Sequence, residues 1–235
     1  GARSGESAGG AASGDGPGAG PGPLRVLLYF HGHGEDYRQA PLSQPGLAVI
    51  SAACPREVAG QRCFWFQQGH GGAWERHEHE KLSRCEPMIE AVLSTLDAAL
   101  AALAATKPPG GVDPLVCVMG VSMGGHAALE FARAAPGRVA AVAAVAGYYE
   151  PARVGELVER LAEVPMLLVH RREDKCCPFR MSQGLRDARV AHAAREGGAE
   201  TEAWFSGGDR HGPTDEERDE VIAWLTARAG RRGAA

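Results

Sequence analysis

The chain has 235 residues, enough to bury a sizeable core, and its 44% hydrophobic and 23% charged residues are the proportions of a globular protein. Its 25 basic and 29 acidic residues are scattered and leave a formal charge of −4, which argues against a nucleic-acid footprint or a basic membrane-binding face. The longest apolar stretch, AVLSTLDAALAALAAT, is interrupted by Asp97 and reads as a buried helix rather than a membrane span.

Residues 1–23 are Gly, Ala, Ser and Pro apart from Arg3, Glu6 and Asp15, with no large apolar side chain. Burial cannot offset the entropy of ordering such a segment, so it is expected to be a disordered linker, with the folded domain occupying 24–235. Short apolar runs follow: LRVLLYF (24–30), LAVISAA (47–53), LVCVMG (115–120), VAAVAAVAG (139–147), PMLLVH (165–170) and ETEAWFS (200–206). Most are continuously apolar, as strands covered on both faces of a parallel sheet must be.

Helical patterns alternate with these runs. Met88, Ile89, Val92, Leu96, Ala99, Leu100 and Leu103 recur at helical spacing. MGGHAALEFARAA, PARVGELVERLAE, MSQGLRDARVAHAAR and PTDEERDEVIAWLTAR supply four more helices. The alternation predicts an open α/β fold: a mostly parallel sheet of about six strands with helices on both faces.

The six cysteines are irregularly spaced, with Cys176 and Cys177 adjacent and Cys117 inside an apolar run. That is neither a disulfide framework nor a zinc-ribbon spacing, so a reducing, cytoplasmic compartment is expected. The initial Gly1 leaves room for a removed leader or an upstream domain.

The strongest chemical signal is LVCVMGVSMGGHAALEFA. Ser122 lies between Gly120 and Gly124, after a buried strand and before a helix, which is the Gly-x-Ser-x-Gly nucleophile elbow in its expected context. Small residues on either side let strand and helix approach at a strained turn that pushes the hydroxyl outward. A serine hydroxyl needs a base to take its proton, and in this architecture an acid and then a histidine follow in the chain. RREDKCCP offers Glu173 and Asp174 after one strand, and GGDRHGPTDEE offers His211 after the next.

With these pieces in place the chain, from Leu24 to about Ala229, resembles serine α/β-hydrolases of the phospholipase, carboxylesterase and acyl-protein thioesterase family. The resemblance rests on HGHGED (31–36), GVSMGG (120–125), VHRREDKCCP (169–178) and GGDRHG (207–212). In the family's His-Gly-x-x-Asp-x-x-Val-Pro motif, Asp174 and Pro178 align and Glu173 does not. Arg171 replaces the usual glycine and Cys177 the usual valine, and Met123 stands where many of these thioesterases carry glutamine. The resemblance implies a catalytic triad of Ser122, Asp174 and His211 that hydrolyses a small-molecule or acylated ester or thioester through an acyl-enzyme, with no cofactor.

An oxyanion needs two donors. The elbow supplies the main-chain N–H of Met123, and the resemblance places the second at His33 in HGHG, where Gly32 and Gly34 allow close backbone approach. A metal-binding reading of HGHG lacks further ligands, and His77 and His79 in WERHEHEKLSRCE suit a solvated surface, so no metal is expected. His126 is expected to pack in the helix after Ser122 or to line the pocket, and His170 to lie near the acid loop.

Residues 54–83 form a long connection with Phe64, Trp65, Phe66 and Trp74. The resembled family carries a Trp-Phe pair beside its site, which matches Trp65 and Phe66 as a substrate-binding wall. A loop-tethering aromatic cluster is the competing reading. Two other functions stay open: a serine peptidase of the prolyl-oligopeptidase kind, and a catalytically silent scaffold used for binding.

Overall fold

The computed structural model describes residues 22–32, 44–52, 57–58, 61–62 and 86–232, with the backbone alone for residues 57, 58, 61, 62, 86–88 and 230–232. The linker reading of residues 1–21 therefore lies outside the described residues, as do His33, Trp65, Phe66, His77 and His79.

Eight strands are described: β1 (Leu24–Phe30), β2 (Leu47–Ala52), β3 (Glu57–Val58), β4 (Gln61–Arg62), β5 (Val112–Val121), β6 (Val139–Val145), β7 (Met166–Arg171) and β8 (Thr201–Ser206). Six of them form one sheet in the order β2-β1-β5-β6-β7-β8, every neighbouring pair parallel. The register sets Phe30 beside Gly120, Gly120 beside Ala144 and Ala144 beside Leu168. The pair β3-β4 is antiparallel and stands apart, so the connection expected between 54 and 83 contains a short hairpin.

The helices are α1 (Glu86–Ala105), α2 (Met123–Ala134), α3 (Val154–Arg160), α4 (Phe179–Glu196) and α5 (Asp215–Arg232). Their placement follows from handedness. From β2 through β8 each crossover advances in the same direction across the sheet, and crossovers of constant hand put their helices on one face. Thus Ile89, Val92 and Leu96 of α1, the apolar side of α2, Leu157 and Val158 of α3 and Leu185 of α4 share a core with Val26, Leu28, Val116, Val118, Met166 and Leu168. The chain leaves β8 and returns over the other face as α5, where Val221, Ile222, Trp224 and Leu225 bury Leu27, Cys117, Met119, Ala141, Ala143 and Leu167.

The residues of the inner strands β1, β5, β6 and β7 thus alternate between two cores, which is why their runs are largely apolar, whereas the edge strand β8 carries Thr201, Glu202 and Ser206. Full burial of a Val, Leu or Ile contributes about 1.5–3 kcal/mol. The small residues of β6, VAAVAAV, let α2 and α5 approach its two faces. PARVGELVERLAE does not form one continuous helix: a 3-10 turn at Pro151–Arg153 precedes α3. Glu150, before the proline, is held in extended conformation and cannot begin a regular helical turn. Among the described residues no helix is long and apolar enough to cross a membrane.

Candidate active site

The sheet order reverses at β1 and β5. The chain leaves β1 toward β2 on one side, and β5 toward β6 on the other. In open α/β sheets the crevice outside the carboxyl ends at such a point is where ligands bind. Ser122 follows the last residue of β5, and His31 and Gly32 follow β1.

Backbone contact shapes the turn at Ser122. Its φ of 56° and ψ of −118° lie in a region that L-residues rarely adopt, at a cost of about 1–3 kcal/mol. The Ser122 N–H donates to the Val145 carbonyl at 2.8 Å, tying the turn to β6, and the Ser122 carbonyl accepts from Gly125 N–H at 2.9 Å. A Cβ on Gly120 would stand 1.9 Å from the Gly124 carbonyl oxygen, and one on Gly124 would stand 2.0 Å from that of Phe30. Gly125 meets the Cα of Gly147 at 2.9 Å on the same measure. Each glycine is therefore required by backbone packing, and the beginning of the His31–Gly32 loop presses on the start of α2.

His211 and Asp174 arrive from the loops after β8 and β7. Ser122 Oγ donates to His211 Nε2 at 2.7 Å, and His211 Nδ1–H donates to Asp174 Oδ2 at 2.8 Å. The other oxygen, Asp174 Oδ1, accepts from the main-chain N–H groups of Cys176 at 2.7 Å and Cys177 at 3.1 Å. Burial alone would raise the Asp174 carboxyl. The His211 hydrogen bond and the Cys177 and Cys176 N–H groups outweigh it and hold the group below the usual aspartate range, hence ionised. Of the two acids the sequence offered, Asp174 meets the histidine. Glu173 instead accepts from the Gly208 N–H.

His170, at the end of β7, is buried beside this acid, with Nε2 3.4 Å from Asp174 Oδ2 and 3.1 Å from the Cys177 carbonyl oxygen. A carbonyl can only accept, so Nε2 carries the proton and Nδ1 takes a hydrogen bond from Ser182 Oγ at 2.7 Å. Burial pushes its imidazole toward the neutral form. Cys177 is buried as well, and burial with the nearby Asp174 charge pushes its thiol up to about 12. It stays protonated and is not a thiolate nucleophile.

Asp174, Cys176 and His211 bring a carboxylate, a thiol and an imidazole within 4.8 Å of one another, a donor set that a soft divalent cation could use. A cation there would have to break the His211–Asp174 hydrogen bond, and both Asp174 oxygens already accept from the protein. His126, on the buried side of α2, stacks on Tyr148 with ring centroids 4.9 Å apart and bonds the Tyr148 carbonyl at 3.2 Å. It is a packing residue of the helix behind the serine.

The two loops are also stitched together by contacts that the sequence does not foretell. Arg172 N–H donates to the Ser206 carbonyl at 2.9 Å, and Glu173 N–H to that of Gly208 at 3.2 Å. The Arg171 guanidinium bonds the Ser206 hydroxyl and the Glu217 carboxylate. Thr214 and Glu217 form a reciprocal cap at the start of α5, with N–H to side-chain distances of 2.9 and 3.1 Å. The Thr-x-x-Glu spacing of that cap is legible in PTDEE, whereas its partner in β7 is not.

The family model described as "Putative esterase" matches residues 54–228. No curated protein matches the chain in sequence. Among solved structures the chain is similar to SOBER1 of Arabidopsis thaliana, at 17% identity and a TM-score of 0.64 over 87% of this chain and 98% of that one. It is also similar to acyl-protein thioesterase 2 of Zea mays, at 22% identity and a TM-score of 0.59 over 89% and 95%. A third, esterase PE8, shares 21% identity with a TM-score of 0.61 over 88% and 94%. At these identities the likeness establishes a shared α/β-hydrolase fold.

Proposed function

The chain belongs to the Esterase family; from that premise we propose that it hydrolyses a carboxylic ester or thioester through an acyl-enzyme on Ser122, with His211 as general base and acid and Asp174 orienting the imidazole. The observation that carries this reading is the continuous hydrogen-bonded line from Ser122 Oγ through His211 to Asp174, at 2.7 and 2.8 Å, at the sheet's switch point.

The chemistry follows from that geometry. Ser122 Oγ attacks the acyl carbon as its proton passes to His211 Nε2. The buried Asp174 carboxylate stabilises the imidazolium and fixes the tautomer in which Nε2 is free to accept. Negative charge gathers on the former carbonyl oxygen. The Met123 N–H, in the first turn of α2 where backbone donors have no intrahelical acceptor, would be one donor to that charge. The His33 N–H would be the second donor. Its loop leaves β1 through Phe30 and His31, whose carbonyls abut Gly124 at the same helix start. Collapse expels the alcohol or thiol, protonated by His211 Nε2–H, and water activated by the same imidazole releases the acid. Trp65 and Phe66 would border the acyl part of the substrate.

A fluorophosphonate probe tests the reading. It is expected to label Ser122, and Ser122→Ala is expected to lose the label and about 10⁶ in turnover of a p-nitrophenyl ester while remaining folded. Undiminished labelling of the alanine protein would locate the nucleophile elsewhere. A panel of esters, thioesters and prolyl peptides then defines the leaving group.

A further inference from the structure

Resting on the reading of His211 as the base, we infer that Arg171 is a positioning residue whose guanidinium fixes the His211 loop at both ends. His211 lies in the segment 207–214, which joins β8 to α5. Glycines 208 and 212 have φ of 100° and 90°, so the backbone around the histidine is of the permissive kind. An imidazole carried on such a segment must nevertheless sit within a few tenths of an ångström of its place between Ser122 and Asp174.

Arg171 pairs in register with Ser206, the last residue of β8. One arm of its fork donates to the Ser206 hydroxyl where the loop begins, and the other to Glu217 Oε1 where the loop has ended. The second oxygen, Glu217 Oε2, accepts the Thr214 N–H at 2.9 Å. Partial burial disfavours the Glu217 charge, but the Thr214 N–H and the Arg171 guanidinium outweigh it and hold the carboxyl below the usual glutamate range. The pair is therefore charged and closes a ring: β7, guanidinium, first turn of α5, the His211 loop, β8. Arg171 stands three residues before Asp174, so the same residue ties the loop bearing the base to the loop bearing the acid. Both side chains are mostly shielded, at 18% and 25% exposure, which lets a planar fork hold geometry that a surface pair would not. The exposed Lys175–Asp209 contact joins the same two loops, but at 82% and 67% exposure it adds little.

The experiment measures kcat and KM for a p-nitrophenyl ester in Arg171→Ala, Glu217→Gln and the double variant, with His211→Ala as reference and circular dichroism as the folding control. Arg171→Ala is expected to lower kcat about 10- to 100-fold with KM within about twofold of the parent, because the loss is one of alignment. Free guanidinium at about 20 mM should recover part of that kcat in Arg171→Ala by refilling the fork's place. The double variant should lose no more than the worse single, because both arms act through one ring. Should the alanine protein fail to fold, Arg171→Lys, which keeps the charge and loses the fork, is judged by the same criteria apart from rescue. A folded Arg171→Ala with parental kcat and an inactive His211→Ala overturns the clamp alone. Full turnover in His211→Ala overturns both the clamp and the reading beneath it.

Discussion

At the elbow, Ser122 is fixed by main chain pressing on main chain: Gly120 on Gly124, Gly124 on Phe30, Gly125 on Gly147. Across the crevice, His211 is held by polar side chains that reach over a gap: Asp174 to the ring, Arg171 to Glu217 and Ser206, Glu173 to Gly208. The two arrangements fail in different ways. Backbone contact has no slack, so a change at the elbow acts on folding as much as on chemistry. A network of side-chain hydrogen bonds can lose a member and leave the fold standing with the imidazole misplaced. The Ser122 half of the site is thus tied to the core, and the His211 half is tunable.

The largest expected effect that probes this difference lies in the acid loop. Asp174→Asn should lower kcat about 10⁴-fold with thermal stability nearly unchanged, because the wrong tautomer of His211 is then favoured. Glu173→Gln retains a carbonyl to accept the Gly208 N–H and should lose less than about tenfold. Steady-state kinetics on both proteins decide the matter, and an inactive Glu173 variant would mean that the acid has been misassigned.

The next effect is one of stability. Gly124→Ala drives a methyl into the Phe30 carbonyl and should cost more than about 4 kcal/mol, a value reserved for packing failures. Gly212→Ala meets only Val121 Cγ1 at 3.7 Å and should cost about 1–2 kcal/mol, from its positive φ. Urea unfolding of the two proteins gives both numbers. Equal costs would dissolve the contrast between the two halves.

A smaller effect depends on pH and belongs to the elbow side. Burial pushes the His126 imidazole down from 6.5 to about 4, against the pull of Glu130. The unfolded chain therefore takes up the proton first. The stability contributed by neutral His126 is complete above about pH 6.5 and declines as pH falls, to a loss on the order of 3 kcal/mol near pH 4. His126→Gln should flatten the urea-unfolding midpoint over that window. His170, whose imidazole burial also lowers, keeps a residual slope in both proteins. Parallel pH curves for parent and variant would show that His126 is not the group being titrated.

Much of this was readable along the chain because it is local or periodic. The six runs became the six strands of the sheet, since an inner strand covered on both faces leaves little room for a polar residue. Although what requires glycine at 124 is the distant Phe30 carbonyl, the elbow was legible from Gly120, Ser122 and Gly124, because the approach of Gly120 to Gly124 happens within five residues of sequence. The same holds for His211 as the histidine just before the last helix. Glu173 and Asp174 could not be separated by the residues alone. Both are short carboxylates in one loop, and the choice depended on family spacing until the fold turned one toward His211 and the other toward Gly208.

What only the tertiary structure decided is everything that joins distant strands. Arg171 reads in sequence as a departure from a motif glycine. Its meaning comes from Ser206 and Glu217, 35 and 46 residues away, which parallel pairing of β7 with β8 and the return of α5 bring to one guanidinium. His170 likewise acquires its role from Ser182 and the Cys177 carbonyl once α4 packs on β7. Apolar periodicity reports how each segment meets the core, because burial acts on every residue through its own surface. A polar cross-link is a property of pairs, and one chain read in order carries no record of which pairs the sheet will place together.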